Sequence, residues 1–212
     1  MKYNNEVNYI LVLGQVGAGK TTFVNTIIKS NIFKIDDGPY GCTKKCQIGR
    51  LTFENKHYSF IDTPGLDDDE SEIEINKAIY ETPNIKCIIL LLGLYQTRIS
   101  ISIVKLLQKL IKRFPIKNFW EHIIVVRNRV DEFVRRFKED EIEKKKNILF
   151  NYVLDEESMI NYMKNYGIAI PNTINEYYFG KSNKREIVED YKYNSKEFLK
   201  ILNEINNLSS LN

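Results

Sequence analysis

The chain has 212 residues and a mass of 25.0 kDa, a length that suits one domain better than two. Its 43% hydrophobic content supports a large core, while 10 glycines and 5 prolines are too few for a low-complexity or fibrous chain. The formal net charge of +3 is well short of the basic balance of a dedicated nucleic-acid binder, so we expect no nucleic-acid partner.

The first predicted elements are a strand, a glycine-rich turn and a helix. Residues 9–13 form an apolar run that ends at Gly14, and residues 20–30 carry apolar side chains at helical spacing. Residues 46–53 and 57–62 then predict two strands of a hairpin, joined by a turn at Glu54, Asn55 and Lys56.

The middle of the chain alternates strands and helices. Residues 86–92 and 122–126 are continuous apolar runs, typical of strands that are covered on both faces. Between them, helical spacing predicts a helix that Pro115 ends, although the alternation of Ile99, Ile101 and Ile103 leaves a strand open for its first residues.

The last part is predicted to be mainly helical. We expect helical segments within residues 131–166, a final strand at 176–179 and an amphipathic helix over 198–208. The order of elements predicts an α/β fold: a three-layer sandwich with a mostly parallel six-stranded sheet that contains one antiparallel strand. We expect a single domain over residues 1–212, with its core at about 8–205.

Residues 14–21 match the pattern Gly-x-x-x-x-Gly-Lys-Ser/Thr between the first strand and the first helix. Glycines there let backbone N–H groups approach phosphate oxygens, and the helix N-terminus adds positive potential. Lys20 would bridge the β- and γ-phosphates and act in catalysis, and Thr21 would bind Mg²⁺. Kinases, ATPases and GTPases all remain possible at this point. The expected nucleotide contacts are Gly14, Gln15, Val16, Gly17, Ala18, Gly19, Lys20, Thr21 and Thr22.

Two further segments predict a metal site beside the phosphates. Asp62 and Gly65 lie in Asp-Thr-Pro-Gly after the hairpin; the carboxylate can hold a water ligand of Mg²⁺ and the glycine N–H can bond the γ-phosphate, although these residues also suit an ordinary turn. Thr43 is expected to offer its hydroxyl to Mg²⁺ and the γ-phosphate, and so to act in catalysis. Its position before the hairpin favours it over three other threonines, Thr22, Thr26 and Thr52.

The segment Asn128-Arg129-Val130-Asp131 follows a predicted core strand and has the form Asn/Thr-Lys/Arg-x-Asp. The Asp131 carboxylate can accept from N1–H and the 2-amino group of guanine, a donor pair that adenine lacks. Arg129 would lie along the base, and Asn128 would tie this loop to the phosphate loop. A charged helix N-terminus is the competing interpretation, but the placement favours GTP and GDP. An ATP-using phosphotransferase would leave Asp131 unexplained.

Four segments together resemble the AIG1-type, immunity-associated guanine nucleotide-binding proteins, relatives of septins and chloroplast import GTPases. The segments are residues 14–21, 41–47, 62–66 and 92–97. The resemblance implies a Mg²⁺-dependent GTP-binding domain with a helical insertion at about 131–166, and homodimers that form across the nucleotide. The last guanine-contacting loop is expected near residues 179–184, with no residue assigned. The membrane segment that many relatives carry at the C-terminus is expected to be missing.

Leu66 follows Gly65, at the position where Ras-like proteins have a glutamine that orients the attacking water. Because an apolar side chain cannot polarise water, we expect slow intrinsic GTP hydrolysis. The dimer implied by the resemblance could supply the missing group: Arg98 is the expected catalytic arginine, Arg50 the second candidate, and a solvated surface position the competing interpretation. We therefore expect a slow GTPase switch that controls self-assembly or partner binding, or a dimerising scaffold that binds GTP with negligible hydrolysis.

Eight acidic residues and one lysine lie between Asp62 and Glu81. The simpler interpretation is a solvated segment whose acids favour the start of a helix; the other is a partner surface that the nucleotide orders.

Three cysteines, Cys42, Cys46 and Cys87, form no even disulfide framework and no zinc-ligand spacing, which favours a reduced, cytoplasmic compartment. The longest apolar run, residues 88–92, is far below the ~20 residues that span a bilayer. Residues 1–6 lack the apolar region of a signal peptide. We expect a cytoplasmic chain that meets membranes only peripherally, through a partner.

Overall fold

A computed structural model describes residues 7–35, 43–66, 68–93, 101–128, 161–162, 164–168, 176–178 and 187–211. The strands in these ranges are β1 (Val7–Leu13), β2 (Gln47–Phe53), β3 (Lys56–Asp62), β4 (Ile85–Gly93), β5 (Ile123–Asn128) and β6 (Glu176–Tyr178). The helices are α1 (Lys20–Ile27), α2 (Asp69–Glu81), α3 (Ile101–Arg113) and α4 (Ile187–Asn207), with a 3₁₀ turn at Phe119–His122.

The six strands form one sheet in the order β2-β3-β1-β4-β5-β6. Only β2 and β3 are antiparallel among these neighbours, and the other pairs are parallel. In the register, Val12 of β1 lies between Asp62 of β3 and Ile89 of β4. The carboxyl ends of these parallel strands therefore meet at one edge of the sheet, where the phosphate loop begins.

The core has two apolar layers, one on each face of the sheet. Successive strand residues point to opposite faces, so Leu11 and Leu13 pack on the side of α2 and α3, while Ile10 and Val12 pack on the side of α1 and α4. Both layers are buried, which explains the continuous apolar runs of the central strands. The predicted three-layer sandwich with a mostly parallel six-stranded sheet is confirmed.

The hairpin turn is shorter than the sequence predicted. Glu54 and Asn55 have positive φ values of 49° and 60°, as a two-residue hairpin turn requires. Lys56 therefore pairs with Phe53 and is the first residue of β3, so its assignment to the turn was wrong.

The first residues of α3 are helical. Ile101 is 72% exposed and Ile103 is 1% exposed, whereas a strand would place both on the same face. The strand alternative is therefore wrong for these two residues, and Ile99 lies outside the described part. The first helix also ends earlier than predicted, with Ile28 as its C-cap.

The predicted helical insertion is described only near its end. Residues 161–162 and 164–165 are helical, and residues 131–160 lie outside the description. Within the described ranges, we find no helix with the length and apolar character needed to cross a membrane.

After α4 the chain returns to the sheet through Leu211. Its backbone N–H donates to the carbonyl oxygen of Ile85 at 2.7 Å, and its side chain is 2% exposed within the core layer beneath α2 and α3. We expect the Leu211→Ala variant to lose about 2–4 kcal/mol of unfolding free energy, because it leaves a cavity in packed core. Urea denaturation measures this loss. The matched variant Leu199→Ala removes a side chain that is 40% exposed and should cost less than ~1 kcal/mol; equal losses would contradict a packed Leu211.

Candidate phosphate and metal site

The loop between β1 and α1 has the backbone geometry of an anion cradle. Gly19 is the N-cap of α1 and has a left-handed φ of 88°. A Cβ atom on Gly19 would lie 2.3 Å from Nδ2 of Asn128, so any other residue there would strain the left-handed backbone and displace the Asn128 side chain. The first turn of α1 contains no acidic residue, which leaves the positive end of the helix uncompensated by its own side chains.

Lys20 holds its ammonium group against this loop. The side chain is buried, and Nζ donates to the carbonyl oxygens of Gly14 and Gln15, each at 2.9 Å. The positive charge is thereby fixed beside the uncompensated helix N-terminus. This arrangement suits a polyanion that enters from the carboxyl edge of the sheet.

Two hydroxyl groups and one carboxylate converge next to Lys20. Thr21 Oγ1 donates to Asp62 Oδ2 at 2.8 Å and lies 3.0 Å from Thr43 Oγ1, and the Thr43 hydroxyl is 3.5 Å from the same carboxylate oxygen. The structure thus brings together the three residues that the sequence predicted for a metal site.

The carboxylate of Asp62 retains an unused oxygen. Asp62 is fully buried, and Oδ1 has no hydrogen-bond partner among the described residues. Burial raises the pKa of this carboxyl to about 6, while the Thr21 hydroxyl, the Lys20 charge and the Thr43 hydroxyl act in the opposite direction. A buried carboxylate oxygen without a donor, flanked by two hydroxyls, fits a hard cation such as Mg²⁺.

The competing threonines have other contacts. Thr26 donates its hydroxyl to the carbonyl oxygen of Thr22 on α1, and Thr52 contacts Nδ1 of His57 in the exposed part of the hairpin. Of the candidates weighed for the hydroxyl before the hairpin, only Thr43 contacts Asp62.

The segment after β3 lies directly against the phosphate loop. A Cβ atom on Gly65 would be 2.2 Å from Cγ2 and 2.7 Å from the backbone N of Val16. The N–H of Leu66 donates to the carbonyl oxygen of Gly14 at 3.3 Å, and the Leu66 side chain is buried in the core. The residue after Gly65 is therefore both apolar and turned away from solvent.

Asn128 joins the end of β5 to the phosphate loop. Its Nδ2 donates to the carbonyl oxygen of Ala18 at 3.0 Å in a buried position, which is the tie that the sequence predicted. The rest of the base-recognition segment, Arg129 and Asp131, lies outside the described residues. So do Arg98 and the segments 41–42, 94–97 and 180–183.

Two residues of the site region had no role in the sequence prediction. Thr63, within Asp-Thr-Pro-Gly, donates its hydroxyl to the carbonyl oxygen of Val12 at 2.7 Å and fixes the end of β3 to β1. Glu74 of α2 accepts from the backbone N–H of Cys46 at 3.2 Å, which links α2 to the segment that follows Thr43. The position of Thr63 directly after a strand could have indicated its role, but nothing distinguished Glu74 within the acidic run.

The start of α2 follows the simpler interpretation of that run. Asp68 is the N-cap and accepts from the N–H of Ser71 at 2.7 Å, and three acids occupy the first turn: Asp69, Glu70 and Glu72.

Burial, with the charges of Glu74 and Asp62, raises the pKa of the Cys46 thiol to about 12, so this thiol stays protonated.

A protein family and an individual relative match parts of the chain in sequence. The model of the AIG1 family matches residues 8–166 of the chain. GTPase Era of Fusobacterium nucleatum subsp. nucleatum is 28% identical over 100 residues, which are 47% of this chain and 27% of Era. The chain thus spans about a quarter of that relative's length.

Two solved structures share the fold. The structure of Toc33 from Arabidopsis thaliana in complex with GDP and Mg²⁺ has a TM-score of 0.63 at 16% identity, with 96% of this chain and 86% of that chain covered. A second structure comes from work on the chloroplast translocon components atToc33 and psToc159, for which dimerisation is important for GTPase activity. It has a TM-score of 0.57 at 16% identity and covers 84% of this chain and 71% of that chain. At these identities the likeness establishes the fold.

Proposed function

The chain belongs to the AIG1 family, and we propose that it binds GTP and GDP with Mg²⁺ and hydrolyses GTP slowly, as a switch that controls self-assembly or partner binding. The observation that carries the proposal is the convergence of Thr21, Thr43 and Asp62 beside the ammonium group of Lys20. A dimerising scaffold that binds GTP with negligible hydrolysis is the second candidate, because Leu66 is apolar and buried.

The phosphate contacts follow from the backbone. The N–H groups of the loop from Gly14 to Gly19 and the N-terminus of α1 would bind the phosphate oxygens. Lys20 would exchange its two carbonyl partners for the β- and γ-phosphates, which are stronger, charged acceptors. Thr21, Thr43 and the free oxygen of Asp62 would hold Mg²⁺, directly or through water. A Mg²⁺ ion held by these residues would supply positive charge to the transferred phosphoryl group.

Base choice would depend on Asp131, with Asn128 as the connection to the phosphates. A carboxylate can accept hydrogen bonds from both the N1–H and the 2-amino group of guanine, and adenine has neither of these donors. The contact between Asn128 and Ala18 holds the end of β5 against the phosphate loop, so the base and the phosphates would be positioned by one continuous unit.

We expect hydrolysis to be slow because the residue after Gly65 is the apolar Leu66. Leu66 cannot accept a proton or orient the water that attacks the γ-phosphorus, so the barrier would be lowered mainly by positioning and by charge stabilisation. A second molecule that covers the nucleotide could add an arginine, worth about 10³–10⁵ in rate in other GTPases. Dimerisation is important for the GTPase activity of atToc33 and psToc159, which supports a contribution from a second molecule here, and we propose Arg98 as the group that it supplies.

We expect GTP turnover per molecule to rise with protein concentration through the range in which the chain dimerises. The Arg98→Ala variant should lose about 10-fold or more of the turnover at high concentration, because charge stabilisation from the partner is removed. The matched variant Lys200→Ala, which removes an exposed positive charge from α4, should keep it, and a loss in Arg50→Ala instead would assign the role to the second candidate. Phosphate release and molecular mass are measured on the same samples.

A turnover per molecule that stays flat across the dimerisation range, or an Arg98→Ala variant with unchanged rate, would overturn the arginine assignment. Absence of single-turnover hydrolysis with GTP bound would favour the scaffold. A cytoplasmic location, peripheral contact with membranes and the absence of nucleic-acid binding stay predictions from the sequence.

A further inference from the structure

A cavity of about 230 Å³ lies between α2 and α3, away from the phosphate loop. Its apolar lining comes from Ile79 of α2 and from Leu106 and Leu110 of α3, three side chains that belong to the core layer on this face of the sheet. Because these side chains also pack into the buried core layer, the bottom of the cavity is apolar and held in place. Its size suits one or two inserted side chains.

The rim of the cavity is positive and aromatic. The guanidinium carbon of Arg113 lies 5.4 Å from the ring centroids of both Tyr80 and Phe114, which fixes the side chain at the rim. Lys109, the second rim cation, forms an ion pair with Glu72 on the exposed surface. No acidic residue is among the described residues that line the cavity, and no carboxylate in the described ranges pairs with Arg113.

Helix α2 exposes apolar side chains and also carries five acidic residues, whereas helix α3 is basic. Ile73 and Tyr80 are 68% and 76% exposed and lie seven residues apart, on the same face of α2. Helix α3 has four basic residues and no acidic one: Lys105, Lys109, Lys112 and Arg113. Large exposed apolar groups beside a cavity mark an interaction surface. None of the acidic residues of α2 lines the cavity, so the two cations that do, Lys109 and Arg113, set the sign of the partner.

We infer that this groove, formed by α2 and α3 around the cavity, docks a short acidic segment of another protein through one apolar side chain flanked by carboxylates. The apolar side chain fills the cavity over Leu106 and Leu110. One carboxylate pairs with Arg113, whose position is already fixed by the two rings, and another competes with Glu72 for Lys109. The apolar anchor gives affinity, and the two cations give preference for acidic sequences. The inference uses no property of the nucleotide site.

The test uses fluorescence anisotropy with two labelled, helix-forming peptides. In one peptide a single leucine is flanked by glutamates, and in the other the same leucine is flanked by lysines. We expect saturable binding of the glutamate peptide and at least ~10-fold weaker binding of the lysine peptide. Arg113→Glu should weaken the glutamate peptide by at least ~10-fold and Tyr80→Ala by at least ~5-fold.

Two control variants match these changes elsewhere on the surface. Lys200→Glu reverses an exposed charge on α4, and Leu199→Ala removes an exposed apolar side chain from the same helix; both should bind within about twofold of the parent chain. Circular dichroism confirms that all four variants are folded, and fluorescent GDP binding is recorded separately. Its loss or retention leaves the groove result unaffected.

Three results would overturn the inference: no saturable binding of the glutamate peptide, equal binding of the lysine peptide, or equal weakening by the control variants. Self-association of the chain that Arg113→Glu abolishes would also overturn it, because a second copy would then occupy the groove.

Discussion

Replacing Lys20 by alanine should weaken the binding of GTP and GDP by about 100-fold or more. The Lys20 ammonium group is buried and fixed by two carbonyl contacts of 2.9 Å, so it is already placed to meet phosphate oxygens. Each charge-assisted hydrogen bond contributes about 1.5–3 kcal/mol, and 1.4 kcal/mol is a factor of ten in affinity. Titration of fluorescent GDP measures the loss.

The control for this prediction is Lys200→Ala, which removes an exposed lysine from α4 and should leave affinity within about twofold. Thermal denaturation of both variants without nucleotide should give similar midpoints, because the contacts of Lys20 with two loop carbonyls are few. Near-parental GDP affinity in a folded Lys20→Ala variant would show that the loop does not bind phosphates through this residue.

The second large effect is expected from Gly19→Ala. Alanine at a φ of 88° costs about 1–2 kcal/mol of backbone strain. Its Cβ would also lie 2.3 Å from Nδ2 of Asn128, so the Asn128 side chain would have to move. Displacement breaks the hydrogen bond between Asn128 and Ala18, which joins the end of β5 to the phosphate loop. We expect GDP affinity to fall by at least ~10-fold more than in Gly17→Ala, a variant with similar backbone strain.

Gly17 is a matched control because its φ is 74° and an added Cβ would meet nothing within 4 Å. A double-mutant cycle separates the two costs of Gly19→Ala. In a background that already carries Asn128→Ala, Gly19→Ala should cost no more than Gly17→Ala does. Equal affinities of the two single glycine variants would mean that the contact with Asn128 carries no part of the binding.

The candidate site was predictable where local chemistry decides geometry. The loop from Gly14 to Thr21 is set by one strand, one turn and one helix, so its pattern also gives its placement. Asp62 could be placed beside it because parallel strands bring their carboxyl ends to one edge. Thr43 was favoured over Thr22, Thr26 and Thr52 because of its position before the hairpin, and the structure places it against Asp62.

Other contacts depend on how helices pack and could not be predicted. The bond from Cys46 to Glu74 requires the orientation of α2 against the end of the segment before β2, which no local pattern encodes. The cavity rim at Arg113 depends on the spacing of α2 and α3. The predicted turn after β2 was one residue too long. The positive φ values of Glu54 and Asn55, which allow a two-residue turn, arise from strand pairing and are not encoded by these residue types.

The central claim is that the site binds guanine nucleotides. Its most direct test is displacement of fluorescent GDP from the full chain in Mg²⁺ by unlabelled GDP and by ADP. The account predicts that GDP displaces the probe at a concentration at least ~100-fold lower than ADP, because the Asp131 carboxylate would accept from the two guanine donors that adenine lacks. Displacement by ADP at the same concentration would contradict the claim and make that pattern a coincidence.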